Sequence, residues 1–498
     1  MEDFKFVLPE GSPTITFAFA AYIIITLVFA AMAHFRSARG RFLDEFFVAG
    51  RSFGPWVLAL TWVATMASGG TFVGAPALGW QNGWSVLLWI CGYMTITVTG
   101  MGILGKRIAY LGRVTGALTM LDLLRDRFES KALSTVFAVL TLFLYICYLV
   151  AQYVAGARVM EVALGLPYWL DLVILALSVT VYTAFGGLRA VAWTDAFQAT
   201  VMLGGILITF ALALQYVGGF DGLNQLLVAT APELTSLPGP NNFLPLSQAI
   251  SFFLVWSFTP LGQPALLSRF LSTGEPSVVG RATFFNGAYV LLLYPAIMMM
   301  GVMSRVIVPN IAAPDQATPA TIVAVVPAWL AGVVLAAPFA AVMSTISSFL
   351  LVTGGTIVQD LYQRNLKTEL DDNKARWISQ GTTLVIGIVA LAIAFRPPQY
   401  LQYIVIFAAT GLAAAYLAPT VMAVFWPRAT KAGAFAALLV GMGSFGVQYV
   451  FYGSRSWLDM DPFIWSLVLS LVAGITVSLC TSPSNSEVNR VWFGEETP

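Results

Sequence analysis

The chain has 498 residues, of which 58% are hydrophobic and only 10% charged, with a mean hydropathy of +0.81 and a formal net charge of +1. Soluble domains are nearer half apolar and a quarter charged, so this composition excludes a water-soluble protein and indicates an integral membrane one. Its one histidine, His34, cannot form a haem or metal centre with partners, which argues against a respiratory redox subunit.

Apolar runs of 17 to 25 residues suit a membrane-spanning helix, and thirteen are expected in this chain. The first, near 14–34, follows MEDFKFVLPEGSP, which lacks the basic n-region of a cleaved signal peptide. The second, 55–80, is interrupted by Ser68-Gly69-Gly70-Thr71 and then Pro76. The third, 83–105, ends in GMGILGK (Gly100 to Lys106). This resembles a Walker motif, but Arg107 stands where Ser or Thr is needed and no strand precedes it. Transport, if that is the task, would then run on a gradient and not on ATP. Runs at 131–162 and 166–185 follow, and a sixth at 193–217 carries Asp195. The seventh, 246–271, is interrupted by Pro260, Gly262 and Pro264. After 280–306 comes 329–360, which holds AAVMSTISSFL (Ala340 to Leu350), and the last four runs lie at 376–396, 399–426, 431–452 and 461–481.

With the N-terminus outside and the C-terminus inside, 20 of the 25 Lys and Arg residues, Arg269 among them, fall in inner loops. Lys5, Arg158, Arg305, Arg396 and Arg455 fall outside or near outer helix ends, as the positive-inside rule requires. Cys91, Cys147 and Cys480 lie in apolar surroundings and read as structural bulk.

Within Ala340 to Leu350, Ser344, Ser347 and Ser348 share one helical face, with Thr345 just beside it. Neutral oxygens at this density suit a small hard cation; the bland alternatives are hydroxyls bonded to their own helix and small residues easing packing. An ionisable residue at bilayer depth is a functional candidate, so Asp195 is either an anionic ligand or, with Thr194, the N-cap of a helix starting near 193. The two interrupted segments lie five apart. Leaving out the first span makes them helices 1 and 6 of two five-helix halves, and such a matching pair points to a transporter's central site. Unwound backbone is tolerated in lipid only where it lines a cavity.

These features resemble the sodium:solute symporter family over essentially the whole length. The resemblance rests on YTAFGGLRAVAWTDAFQ (Tyr182 to Gln198), GQPALLSRFLS (Gly262 to Ser272) and AAVMSTISSFLLVTGGTIVQDLY (Ala340 to Tyr362). VAQYVAGARVMEVALG (Val150 to Gly165) and ATMASGGTFVGAP (Ala64 to Pro76) look most like bacterial pantothenate permeases and related monocarboxylate carriers. The resemblance implies an all-α membrane protein with a leucine-transporter-type 5+5 inverted repeat. Its expected parts are an extra helix and inner loop at 1–45, repeats at 46–220 and 221–428, and two further helices with a short tail at 429–498.

Carried over by the resemblance, a sodium site would use Ala64 and Ala67 on helix 1 with Ala341, Ser344 and Thr345 on helix 8. A second would use Asp195 with Ser344, Ser347 and Ser348. The chain departs from proline carriers, which have an acidic residue where Met66 stands and an aromatic one where Pro260 stands. It lacks the sugar carriers' polar set, since Gly69 and Gly70 offer only backbone. Met66, Ser68, Thr71, Gln152, Trp256, Thr259 and Gln263 remain to line a solute pocket. Gln152 has the alternative of bonding a neighbouring helix, Trp256 that of a core aromatic, and Arg158 reads as structural.

The resemblance thus implies symport of a small organic, anionic solute such as pantothenate into the cell across the cytoplasmic membrane, with sodium as the transported ion. No organic cofactor, nucleic acid or obligate protein partner is expected. Proton coupling stays open, as does a transporter-like sensor, although the tail after 481 is too small for a kinase or receiver module. No acid–base cluster or metal set accompanies the intramembrane Asp, so an enzyme is not expected.

Overall fold

Without water to satisfy them, backbone polar groups in a bilayer must pair internally, and this chain pairs them in helices alone; among the described residues there is no strand. The computed structural model describes residues 12–36, 42–365, 371–396 and 401–494. Lys5, Arg39, Arg41 and Lys367, and the side chains of His34, Arg36 and Cys91, lie outside what is described.

The elements in order are α1 (Pro13–Arg36), α2 (Phe42–Val48), α3 (Pro55–Met66), α4 (Ala75–Asn82), α5 (Leu87–Ile96), α6 (Lys106–Thr115) and α7 (Met120–Phe128). Then come α8 (Lys131–Leu164), α9 (Tyr168–Tyr216), α10 (Gly219–Thr230), α11 (Leu246–Phe258), α12 (Pro264–Ser268), α13 (Pro276–Ile307) and α14 (Ala317–Val325). The chain ends with α15 (Ala328–Gly355), α16 (Asp372–Ala394), α17 (Leu401–Phe425), α18 (Lys431–Tyr452), α19 (Pro462–Cys480) and α20 (Ser486–Phe493).

The expected apolar stretches all fall on helical elements. By length and composition, though, eight helices among the described residues are long and apolar enough to cross a membrane, or up to ten if each bent pair is one span. The difference comes from the breaks. The bent pairs are Phe42–Arg51 with Pro55–Met66, at 107°, and Leu246–Gly262 with Pro264–Ser272, at 51°; α3 and α4 are each shorter than a span, while α9 runs through 49 residues. Inside α9, Gly187 takes φ 63° and ψ −173°, so the helix restarts at 188, before the expected start near 193. A Cβ there would lie 2.8 Å from the Phe46 ring and force the left-handed region on a side chain, which makes Gly187 a fixed corner. Gly100 to Lys106 lies within helical structure that is continuous from α5 to α6 and forms no phosphate-binding loop.

Helix α15 forms the centre. Its apolar window is 94% buried, whereas that of α18 and of α19 is 28% buried, which puts this pair at the periphery. The hydroxyl-rich helix is therefore enclosed by α9, α8, α1 and the first broken segment and does not face lipid.

Close backbone contact fixes α4 against α13. A Cβ on Gly301 would sit 2.7 Å from both Cα and O of Pro76, where neither side can yield by a rotamer change. Gly301→Ala is therefore expected to cost about 1–3 kcal/mol of stability by overpacking. Gly287→Ala on the same helix, whose Cβ would find only Thr97 Cγ2 at 3.9 Å, should melt like the unaltered protein. Thermal unfolding of the two variants side by side checks the contrast.

Candidate functional site

The first break opens where α3 ends. Ala67 leaves helical geometry at φ −79° and ψ 91°, and the chain re-enters a helix through a wide turn at Gly70–Gly74. Its freed groups are met from the side. Gly69 N donates to Gln152 Oε1 at 2.7 Å and Gly70 N to Ser68 Oγ at 3.1 Å. The second break follows the same logic: α11 tightens at Thr259–Gly262, Gln263 is extended, and α12 begins at Pro264 after a 51° bend. Ala265 N there donates to the Tyr145 hydroxyl at 2.9 Å.

Helix α15 lies across the first break. Ser344 Oγ donates to Ala64 O at 2.8 Å and lies 3.1 Å from Ala341 O. Thr345 Oγ1 lies 2.9 Å from Ala341 O and 3.4 Å from Thr65 O. Four of the five expected sodium ligands, Ala64, Ala341, Ser344 and Thr345, thus converge between two segments about 280 residues apart in sequence. Ala67 is where the helix opens, directly beside this set.

Asp195 is 0% exposed and sits eight residues into the helix that restarts after Gly187, so it is not an N-cap. Thr194 bonds back to Ala190 and Val191. One carboxylate oxygen of Asp195, Oδ2, accepts from Thr61 Oγ1 at 2.5 Å and from Arg269 Nη2 at 3.3 Å. Arg269 therefore does not belong to an inner loop. It is 1% exposed, and a guanidinium that cannot reach water needs an anionic partner, which the fold supplies from α9. Arg127, also expected in a loop, is 1% exposed and donates to the carbonyls of Ala423 and Pro427 at the end of α17.

The second expected cation set is only partly assembled. Ser348 accepts from Arg269 Nη2 at 2.5 Å and lies 3.0 Å from Thr65 Oγ1, which ties it to the Asp195 cluster. Ser347 and Ser348 also donate to Ser344 O on their own helix, and Ser344 faces the first set.

Two cavities flank this layer. One, of about 360 Å³, is lined by Met66, Trp256, Thr259 and Gln263, as expected for the solute pocket, together with Thr65, Tyr93, Tyr148 and Phe349. Tyr93 stacks on Trp256 at 4.6 Å and on Tyr294 at 4.3 Å, and Phe349 meets Tyr148 edge-on at 4.6 Å. No charged side chain lines it. Three expected members stand behind the wall. Ser68 holds Gly70 N and reaches the Tyr148 hydroxyl at 3.5 Å, Gln152 holds Gly69 N, and Thr71 N donates to Ser68 O. The other cavity, of about 450 Å³, is lined by Arg269, Ser348, Ser268, Thr119 and Thr356.

Sequence reasoning missed the aromatic wall and the arginine. Tyr148 had a usable signal, one turn before Gln152 on α8, and Phe349 directly follows Ser348. Arg158, read as structural, pairs with Glu161 at 2.9 Å and packs over the Tyr168 ring.

Known proteins are similar to this chain. The model of the sodium:solute symporter family matches residues 46–441. The sodium/pantothenate symporter of Escherichia coli K12 is 32% identical over 457 residues, covering 91% of this chain and 94% of the relative. The sodium/proline symporter of Salmonella typhimurium LT2 is 29% identical, covering 93% and 92%. Among solved structures, a Na+-coupled sialic acid symporter in a substrate-bound outward-open state superposes with a TM-score of 0.79 at 19% identity, covering 95% of this chain and 99% of that one. Mhp1, a nucleobase-cation-symport-1 family transporter, superposes with a TM-score of 0.58 at 16% identity, covering 90% and 97%. These likenesses extend over nearly the full length, through both broken segments and the hydroxyl-bearing helix. The chain belongs to the sodium:solute symporter family.

Proposed function

We propose that this protein imports a small organic acid of the pantothenate type across the cell membrane, driven by the sodium gradient. The single observation that carries the reading is the meeting of Ser344 and Thr345 with the carbonyls of Ala64, Thr65 and Ala341 at the first helix break. It is an all-oxygen, uncharged set, suited to a hard monovalent cation that must later leave. Sodium there ties α15 to α3 and so sets the shape of the neighbouring aromatic cavity. That gives the ion a differential affinity for one conformation, which is the physical content of coupling.

We assign the solute to the aromatic cavity. Met66, Trp256 and Phe349 supply apolar and aromatic area, while Thr259, Gln263 and the Tyr148 hydroxyl supply neutral hydrogen bonds. With no cationic side chain in the lining, a carboxylate would be met by these neutral donors and by the positive ends of the half-helices at the two breaks. The similarity to sodium/pantothenate symporters supports an acid of this kind. Thirteen spans with N-out, C-in topology, the 5+5 repeat with its boundaries at 46–220 and 221–428, and a second sodium at Asp195 belong to the same reading.

The test is uptake by purified protein in liposomes of labelled pantothenate, pyruvate, lactate, acetate and proline, with an imposed sodium or proton gradient. Pantothenate uptake that requires sodium is the expected result. Movement of a solute only under a proton gradient would refute the cation assignment. Within the same assay Trp256→Leu should raise the KM for the solute roughly tenfold, by removing the ring that stacks on Tyr93, with the sodium requirement unchanged. An unchanged KM would move the solute out of this cavity.

A further inference from the structure

We propose that Arg269 is a tethered cation that competes with sodium for the Asp195 carboxylate. The inference rests on reading Asp195 and the α15 hydroxyls as a cation site.

The guanidinium lies amid oxygens. Nη2 reaches Asp195 Oδ2 at 3.3 Å and Ser348 Oγ at 2.5 Å, Nε reaches Thr61 Oγ1 at 3.1 Å, and Nη1 reaches Ala265 O at 2.6 Å. Two of these four acceptors, Asp195 and Ser348, belong to the expected second cation set, and Thr61 donates to the same carboxylate. The guanidinium thus holds the place and the charge of that ion.

The pair is one-sided. Arginine–carboxylate pairs are often bidentate, with two parallel N–H donors on the two oxygens. Here a single nitrogen meets a single oxygen, and Asp195 Oδ1 has no hydrogen-bond partner among the described residues although the residue is 0% exposed. A buried carboxylate oxygen without a donor can take a second donor or a cation.

There is also somewhere for the arginine to go. Its side chain lines the cavity on the other side of the layer from the aromatic pocket, together with Ser268, Thr119 and Thr356. Arg269 sits in the last turn of the second broken segment, Arg269–Ser272, and rotation about its side-chain bonds moves the guanidinium from the carboxylate into that cavity. When sodium occupies the carboxylate, like-charge repulsion drives the arginine out. When sodium is scarce, the arginine returns and expels the ion. The carboxylate is thereby neutralised in both states, and in the sodium-bound one the guanidinium is left to the hydroxyls of Ser268, Thr119 and Thr356.

Sodium binding to purified protein, measured with 22Na, tests this. Arg269→Gln removes the competitor and is expected to bind sodium at least about tenfold more tightly than the unaltered protein. Arg269→Lys, still cationic, should stay near the original affinity, and Asp195→Asn with Arg269→Gln should lose the gain. Affinity unchanged or weakened in Arg269→Gln, with Asp195→Asn still impaired, overturns the competition and leaves the cation site standing. Sodium binding indifferent to Asp195→Asn, Ser348→Ala and Arg269→Gln alike overturns the site itself.

A measurement on the unaltered protein covers the case in which Arg269→Gln fails to fold. Phenylglyoxal labelling located by peptide mass spectrometry should increase at Arg269 when sodium replaces N-methylglucamine, because the guanidinium has moved into the cavity. Equal labelling in the two salts overturns the proposal.

Discussion

Ser344→Ala is expected to raise the sodium concentration giving half-maximal uptake by about tenfold to a hundredfold, the loss of one hydrogen-bond-strength contact to a charged group at about 1.5–3 kcal/mol. The hydroxyl is 0% exposed and bridges α15 to the opened end of α3, at 2.8 Å from Ala64 O. The hydroxyl donates to that carbonyl in the structure; in the proposed sodium site its oxygen would turn toward the ion and the carbonyl would be a fellow ligand. Alanine is smaller and a good helix former, so the protein should still fold. Uptake titrated with sodium in liposomes, with a melting curve alongside, separates the two effects. The contrast is Ser347→Ala, whose hydroxyl bonds Ser344 O on its own helix and should shift the sodium requirement less. An unshifted requirement in Ser344→Ala would remove this residue from the ion's coordination.

What could be read in the sequence was what leaves a local mark. Four hydroxyls within five residues of an apolar helix violate the expected composition, and the two interruptions carry their Gly and Pro residues openly. Arg269 left no such mark. Near the end of an apolar run it reads as an inner-loop charge, and only the return of α9 past α3 makes it a buried ion-pair partner of Asp195, 74 residues away. Tyr93, Tyr148 and Tyr294 failed for another reason: aromatic residues are ordinary filling in membrane helices, and a stack between separate segments has no sequence period. Asp195 was half legible. Its burial could be anticipated, but the nearby helix restart is set by the left-handed Gly187, and that rules out the alternative of an N-cap.

The layer formed by Thr65, Ser348, Arg269 and Asp195 gives the two cavities a shared wall. Thr65 lines the aromatic side and Ser348 the arginine side, with their hydroxyls 3.0 Å apart. A rearrangement at one hydroxyl therefore changes both faces of the wall. Packed interiors pass such shifts on because they have few voids in which to absorb them. In the proposed function, this proximity is how an ion bound beside the solute pocket would bias access from the opposite side.

Asp195→Asn should have the largest effect on stability, because it removes the charge but not the shape. Arg269 would stay buried with only Thr61, Ser348 and Ala265 as neutral acceptors, and stranding one member of a buried pair costs about 3–5 kcal/mol. The variant should melt lower, reach the membrane in smaller amounts, and lose sodium-driven uptake in the fraction that folds. Adding Arg269→Gln removes the stranded charge. Replacing both members of a buried ion pair with neutral groups is often close to neutral, so the double variant should regain most of the melting temperature. It should not regain sodium-driven uptake, since the anionic ligand is still missing. The two measurements thus divide the roles of Asp195. If stability does not return in the double variant, the loss in Asp195→Asn came from packing and not from charge. If Asp195→Asn alone keeps full sodium-driven uptake, the carboxylate is a structural partner of Arg269 and takes no part in holding the ion.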